Sequence, residues 1–315
     1  MFAEDLLQEL RHTRYTPAAI VTYVRAIVAR AVHRVPQHAD TVRSVAATAL
    51  VLFGLQFAAA LYFSATFGRE FGVTYLVASS AVLLVACFWV LAHLGLLTGP
   101  DEGSGILHRL PFPVAITMLR LVALPAVVLF VRHAMWPIAV WVFVGAAFTD
   151  VLDGVIARAF GMQSHTGKVL DPIVDIVFNV TIFVTLAEVG QIPWWVAALV
   201  LARYGLLVLG TIYLYVFHGP VRIEPTGFGK LTGLFTTSLV GLLLLGLATW
   251  SEPTRLRLQD VFDVALGALS LATIIQVVFI GLANRRSLAH AHAKVVAPSP
   301  DAPRKVVGEI RPPRK

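Results

Sequence analysis

Long apolar runs decide what this chain can fold into. They stand near residues 44–66, 73–97, 113–131, 136–157, 170–188, 193–217, 231–250 and 261–283. A helix crosses a bilayer in roughly 20 apolar residues, about twice what a membrane strand needs. Inside lipid, only helices and closed barrels satisfy every backbone polar group. Hydrophobic residues make up 57% of the 315 and charged residues 14%, which excludes an ordinary soluble domain. The expected fold is all-α and polytopic, with eight spanning helices. The single Cys87 lies inside a run, so an intrachain disulfide is impossible.

Within this apolar chain, four aspartates fall between Asp150 and Asp175, beside or inside membrane-type helices. Ionisable groups there are expensive and point to function. Asp150, Asp153, Gly154, Ala157 and Arg158 follow i, i+3, i+4, i+7, i+8 spacing, which is one helical face. Gly167, Asp171 and Asp175 follow i, i+4, i+8 spacing, again one face. The connection between the two helices is short, which predicts antiparallel neighbours. Two carboxylate-bearing faces then meet in one cavity, and their mutual repulsion calls for cations. Oxygen donors without His or Cys suit Mg²⁺, Mn²⁺ or Ca²⁺ rather than zinc. A pair of such ions commonly serves phosphoryl chemistry. Helix capping or loop solvation could absorb one or two of these aspartates, but not the whole set.

The stretch resembles the signature of the CDP-alcohol phosphatidyltransferase family, DxxDGxxAR, eight residues, then GxxxDxxxD. Asp150, Asp153, Gly154, Ala157, Arg158, Gly167, Asp171 and Asp175 fill every fixed position. The resemblance covers roughly residues 110–284. It implies a six-helix catalytic core that transfers a phosphatidyl-type group from a CDP-linked donor, such as CDP-diacylglycerol, to an alcohol, with release of CMP. It further implies two Mg²⁺ or Mn²⁺ ions held by Asp150, Asp153, Asp171 and Asp175. Asp175 doubles as the candidate general base. Asp150, Gly154, Ala157, Arg158, Gly167 and Thr117 are the expected CDP-binding residues. Gly154 and Ala157 leave room for the nucleotide, Arg158 pairs with phosphate, and Gly167 allows close packing.

The third run opens P-F-P-V-A-I-T-M-L-R and continues to Pro125. Thr117, Arg120 and Pro125 fit the family's helix at this place, whereas Val114 stands where Asn is usual. Arg203 sits mid-way along the sixth run, and Gly229-Lys230 with Thr232 loosely resembles a family Gly-Lys with a nearby Thr. Arg120, Arg203 and Lys230 are therefore the expected acceptor-phosphate pocket. Each has a plainer reading: Arg120 snorkelling to the interface, Arg203 in an ion pair with one of the aspartates, and Lys230 as a juxtamembrane lysine.

Four segments are expected. Residues 1–43 form a basic segment in which Ile20, Val24, Ile27, Val28, Ala31 and Val35 keep helical spacing among Arg25, Arg30 and Arg34. This fits an amphipathic helix on an anionic membrane surface, or equally a plain solvated helix. It is not read as a signal peptide, because the first apolar run begins late and no small-residue cleavage pattern accompanies it. Residues 44–97 form a transmembrane hairpin turning at Phe67–Gly72, with His93 as a packing residue. Residues 98–284 hold the catalytic core, entered by a loop at Thr98–Leu110. Residues 285–315, rich in Pro, Ala, Lys and Arg, form a disordered basic tail suited to anionic headgroups.

Arg and Lys concentrate at one end of the predicted spans. Only Arg69, Arg132, Arg255 and Arg257 fall at the other end. The positive-inside rule then places both termini and the signature in the cytoplasm, and a bacterial inner membrane is the expected location. Thr166-Gly167-Lys168 with Leu170-Asp171-Pro172 looks most like bacterial phosphatidylglycerophosphate synthases and cardiolipin synthases of this family. Ile176, where those relatives have Lys, resembles the phosphatidylserine synthase branch. Glycerol 3-phosphate is the preferred acceptor. Serine, inositol phosphate and phosphatidylglycerol are the alternatives. Besides the donor, acceptor and membrane lipids, a homodimer is compatible with the sequence, and nucleic acid is not an expected partner. A divalent-cation transporter or channel is the competing class. It leaves Gly154, Ala157 and Arg158 without a role, and no helix has the Gly/Pro interruption of a transport site. A family member that binds CDP-lipid without turnover is a third reading, opposed by the intact carboxylates.

Overall fold

The computed structural model describes residues 13, 16–99, 105–162, 164–217 and 227–296, without some side chains inside the helices. Its described residues form nine long helices, and eight are long and apolar enough to cross a membrane. In chain order they are α1 (Pro17–Gln37), α2 (Ala39–Phe67), α3 (Arg69–Ala92), α4 (Phe112–Arg132), α5 (Trp136–Ala159), α6 (His165–Glu188), α7 (Trp194–Phe217), α8 (Gly227–Thr249) and α9 (Glu252–Val296). The protein is an integral membrane protein with multiple spans. Leu84, Phe88, Trp141 and Phe279 are among the large apolar side chains left exposed, as lipid contact requires.

The hairpin turn is tighter than the sequence suggested. One residue, Gly68 at φ 102° and ψ 153°, separates α2 from α3. That region is essentially restricted to glycine, so the chain reverses without unwinding either helix to Gly72. The two helices approach so closely that a Cβ on Gly72 would collide with the Ser64 side chain and the Ala60 carbonyl, and would lie 2.8 Å from Ser64 N. Gly72→Val is expected to cost roughly 1–3 kcal/mol by overpacking, read as a lower Tm in detergent. An unchanged Tm would show that the hairpin repacks freely. His93 ends α3: its Nδ1 lies 2.9 Å from the Trp89 carbonyl oxygen and its ring stacks on Trp89 at 4.7 Å.

Two helix ends also differ from expectation. The last helix runs to Val296, well past Arg285, because Ser287–Val296 holds good helix formers and no proline before Pro298. The remainder of the expected tail lies outside the described residues. The eighth helix begins at Gly227, so Gly229, Lys230 and Thr232 belong to its opening turns. The helix expected among residues 1–43 is present as α1, with Ile20 and Val21 exposed. The side chains of Val24, Ile27, Val28, Ala31 and Val35 lie outside the described residues.

Helix α4 is the axis of the core. It packs against α5, α6 and α3, and every other residue or more along it is buried. No extended contact joins α5 to α6. The two signature helices are therefore not the direct neighbours that their short connection suggested. Gly161, at φ 62°, turns the chain between them, and both lean on α4. Periodicity reveals which face a helix buries, not which helix receives it. At the end remote from the aspartates, the main core joins Phe130 of α4 to Phe71 and Tyr75 of α3, Phe143 of α5 and Phe183 of α6. Arg132 pairs there with Glu188, Nη2 to Oε2 at 2.6 Å, tying α4 to α6. The aspartates sit at the opposite end, where α5 and α6 each pack on α4.

Candidate active site

Asp150 and Asp153 lie in the last turns of α5, and Asp171 and Asp175 near the start of α6. Local sequence explains the second placement. Ser164 is the N-cap of α6, and its Oγ accepts a hydrogen bond from Gly167 N at 3.1 Å. The helix therefore starts well before Leu170, because the polar first turn His165-Thr166-Gly167-Lys168 is capped rather than apolar. A Cβ at Gly167 would meet Ser164 Oγ at 3.4 Å and Val114 Cγ2 at 3.8 Å, which is ordinary contact. Close packing at Gly167 is thus milder than expected.

Helix α4 supplies the groups that join the two carboxylate pairs. Thr117, fully buried, places its Oγ1 3.2 Å from Asp153 Oδ2 and 3.0 Å from Asp171 Oδ1. It also lies 3.0 Å from the Pro113 carbonyl oxygen, a third acceptor for one hydroxyl proton. One turn on, Arg120 is 3% exposed and ion-pairs with both other aspartates. Its Nη1 contacts Asp150 Oδ1, and its Nη2 lies 3.3 Å from Asp175 Oδ1. Arg120 is therefore buried rather than snorkelling. It stands among the aspartates. Its Nε and Nη2 are buried without a hydrogen-bond partner. Asp153 is buried, while the Asp150 and Asp175 side chains are 46% and 50% exposed, so the cluster has a closed floor and an open mouth.

The remaining candidates divide. Gly154 would place a Cβ near nothing but the Arg158 guanidinium, 3.4 Å away at Nη1, so the helix surface beside Asp153 is open. Ala157 is half-buried and Arg158 is exposed on the same face. Arg203, half-buried in α7, lies with its guanidinium 5.0 Å from the Tyr204 ring centroid. Among the described residues it forms no ion pair with an aspartate, so that reading of Arg203 fails. Lys230 is in the first turn of α8, and its side chain lies outside the described residues.

A hard divalent cation fits the donor chemistry, since four carboxylates and one hydroxyl gather here without a nitrogen or sulfur ligand. The side chains as placed do not form a cage: among the described residues no three His, Cys, Asp or Glu groups converge on one point. Asp150 and Asp175 are drawn instead to Arg120, and Asp153 and Asp171 to Thr117.

Three further polar groups escaped the sequence reading. Thr98 and His165 bond to each other across the entrance to α6. Asp263, 8% exposed in α9, is a carboxylate inside the last apolar run whose Oδ1 lacks a partner. Its signal was plain, an acid within 261–283, whereas the contact of Thr98 with His165 joins positions too distant for any local pattern.

Comparison with known proteins identifies the family. The family model described as CDP-alcohol phosphatidyltransferase matches residues 110–283. A Mycobacterium tuberculosis H37Rv protein named "Probable phosphatidylglycerophosphate synthase" is 34% identical over 139 residues, 42% of this chain and 65% of that protein. A Schizosaccharomyces pombe "Cardiolipin synthase (CMP-forming) / mitochondrial hydrolase fusion protein" is 34% identical over 147 residues, 42% of this chain and 25% of that one. An Aquifex aeolicus "CDP-diacylglycerol--glycerol-3-phosphate 3-phosphatidyltransferase" is 28% identical over 155 residues, 48% of this chain and 85% of that one. The chain thus spans just under two thirds of the mycobacterial relative and a quarter of the yeast one. The match starts at Leu110, ahead of α4, and so leaves the α2–α3 hairpin outside it. With more than half of its length matched and the whole aspartate signature within the match, the chain belongs to the CDP-alcohol phosphatidyltransferase family.

Proposed function

We propose that this protein transfers the phosphatidyl group of a CDP-linked lipid to an alcohol, with glycerol 3-phosphate as the acceptor. The observation that carries this reading is the meeting of the two carboxylate faces over Thr117 and Arg120. Asp150, Asp153, Asp171 and Asp175 would hold Mg²⁺ or Mn²⁺, which supplies charge neutralisation for the donor diphosphate and for the departing CMP. The open surface at Gly154 and Ala157 accepts the nucleotide, and Arg158 faces its phosphates. Thr117 fixes Asp153 and Asp171 from below. Asp175, at the open mouth, takes the proton of the acceptor hydroxyl as that oxygen bonds to the lipid-bearing phosphorus. The bond from that phosphorus to the CMP oxygen breaks, and CMP leaves with the electron pair. The concentration of Arg and Lys at the aspartate end supports a cytoplasmic site, where a soluble phosphorylated acceptor is available. The proposed organisation is a basic amphipathic segment to residue 43, a transmembrane hairpin to 97, a catalytic core to 284 and a basic tail beyond it.

The choice of acceptor rests on Arg203. A guanidinium in a membrane helix, with no carboxylate partner among the described residues, suits an anionic ligand. Lys230 is a second candidate for the same pocket, and Arg120, paired with Asp175, is a third. Arg203→Ala is expected to raise the acceptor KM at least tenfold, as loss of a charged hydrogen bond does, with little change in the donor KM. Equal effects on both constants would remove Arg203 from the acceptor site. Radiolabelled CDP-diacylglycerol offered with glycerol 3-phosphate, serine, inositol phosphate or phosphatidylglycerol tests the reaction itself. No CMP release with any of these alcohols would overturn the reading.

A further inference from the structure

The α2–α3 hairpin lies outside the family match, yet hydrogen bonds connect it to the signature. Thr41 Oγ1 of α2 donates to the Leu107 carbonyl at 2.7 Å, and Leu110 N donates to Ser44 Oγ at 3.0 Å. Leu107 N in turn donates to the Leu97 carbonyl at 2.7 Å, and Thr98 pairs with Ile106 in an isolated antiparallel bridge. From Thr98 the chain of bonds reaches α6. The Thr98 carbonyl accepts from His165 N at 3.3 Å, and Thr98 Oγ1 lies 3.1 Å from His165 Nδ1. His165 is the first residue of the helix that carries Asp171 and Asp175.

Apolar packing runs along the same path. Val45 of α2 and Leu83 of α3 share one buried cluster with Val114 and Met118 of α4 and with Leu170 and Val174 of α6. Leu170 and Val174 each immediately precede an aspartate of the site. Val114 and Met118 flank Thr117 on the opposite helix. The inner face of the hairpin thus backs α4 directly and reaches α6 through the buried cluster that α4 shares with it, and the separation of those two helices sets the distance from Thr117 and Arg120 to Asp171 and Asp175. Its outer face, with Leu50, Leu84 and Phe88 exposed, carries no such bonds among the described residues.

We propose that the N-terminal hairpin is a positioning element of the aspartate site, with Thr41, Ser44 and Thr98 as positioning residues. The hydroxyls of α2 hold Leu107 and Leu110 as a clasp, and Thr98, bridged to Ile106, passes that hold to the start of α6. Energetic coupling of this kind travels through contiguous hydrogen bonds and packed side chains, and it needs a direct measurement. A misplacement of about 1 Å at a reacting centre can cost ~10²-fold in rate, so loosening the clasp should register in kinetics. The kinetic part rests on the transferase reading; the structural part does not.

The test uses the full chain in lipid nanodiscs. Thr41→Val with Ser44→Ala removes both hydroxyls, Thr41→Ser with Ser44→Thr keeps them, and Leu84→Ala alters only the outer face. Hydrogen exchange is followed at the Gly167–Asp171 amides, alongside kcat and KM for the CDP donor. Loss of the hydroxyls is expected to speed exchange there about tenfold, a local opening well below global unfolding, and to lower kcat/KM about tenfold. The hydroxyl-retaining pair and Leu84→Ala should match the parent protein. Faster exchange confined to α2 and α3, with α6 unchanged, would overturn the proposal and make the hairpin a separate module. If the double variant fails to fold, Thr98→Val removes the side-chain link to His165 and leaves the backbone one; exchange at the start of α6 should still rise, by less, and unchanged α6 exchange in that variant would overturn the proposal. Exchange that responds in a protein releasing no CMP would sink the transferase reading and leave the clasp. Transfer activity with α6 exchange and kcat/KM unmoved would do the reverse.

Discussion

Asp153→Asn and Asp175→Asn should fail in different ways. Asp153 is buried at the floor of the site, within reach of Thr117 and facing Asp171 across it. On the proposed mechanism it serves the cations that receive the donor diphosphate. Asparagine keeps its size and its contact with Thr117 but removes a negative charge, so donor affinity and turnover should both collapse. Asp175 lies one helical turn beyond Asp171, half exposed at the mouth, where an acceptor hydroxyl can approach. A general base contributes typically ~10²–10⁴-fold to rate. Asp175→Asn should lower CMP release by that factor while retaining far more donor affinity than Asp153→Asn. Calorimetry with the CDP donor and a CMP-release assay make the comparison. If Asp175→Asn loses donor affinity as badly as Asp153→Asn, its role is metal ligation and the base assignment fails. Near-normal turnover in Asp175→Asn would defeat the mechanism altogether.

The parts of this protein that were legible in sequence are those set by one-dimensional chemistry. Each apolar run predicted a span because lipid admits few other structures, and the helices follow those runs. The four aspartates were legible because charge in such runs is rare and their spacing was helical. The register of polar turns was less visible. Ser164 caps α6 ahead of its apolar run, and Gly68 lets α3 resume at once, so both helices start earlier than hydrophobicity alone marks. Partnership between helices was not legible. The short link from Ala159 to His165 suggested that α5 and α6 touch, yet α4 receives both. Arg120 illustrates the same limit. Its sequence depth allowed either an interfacial or an acceptor role, and only the packing of α4 between the signature helices sets it against Asp150 and Asp175.

That position of Arg120 shapes the second large effect expected, which is loss of activity on chelation without loss of fold. Four carboxylates and one guanidinium leave the cluster with a negative excess. At an effective dielectric near 20, two like charges about 4 Å apart repel by ~4 kcal/mol. A donor diphosphate entering such a cluster would meet several such repulsions, each equivalent to a factor of several hundred or more in affinity. With EDTA, CMP release should therefore fall to background, and added Mg²⁺ or Mn²⁺ should restore it. The fold should nevertheless survive chelation, because Arg120 offsets charge on both α5 and α6 from the buried floor. Thermal unfolding of the same sample with and without chelator separates the two effects: Tm should shift little while activity vanishes. Arg120→Met removes the internal counter-charge but keeps much of the packing volume. In that variant chelation should lower Tm by several degrees more than in the parent, since repulsion between α5 and α6 is then unrelieved. Full activity in chelator would refute a metal-dependent site. Equal Tm responses in Arg120→Met and the parent would show that Arg120 does not carry the charge balance of the metal-free protein.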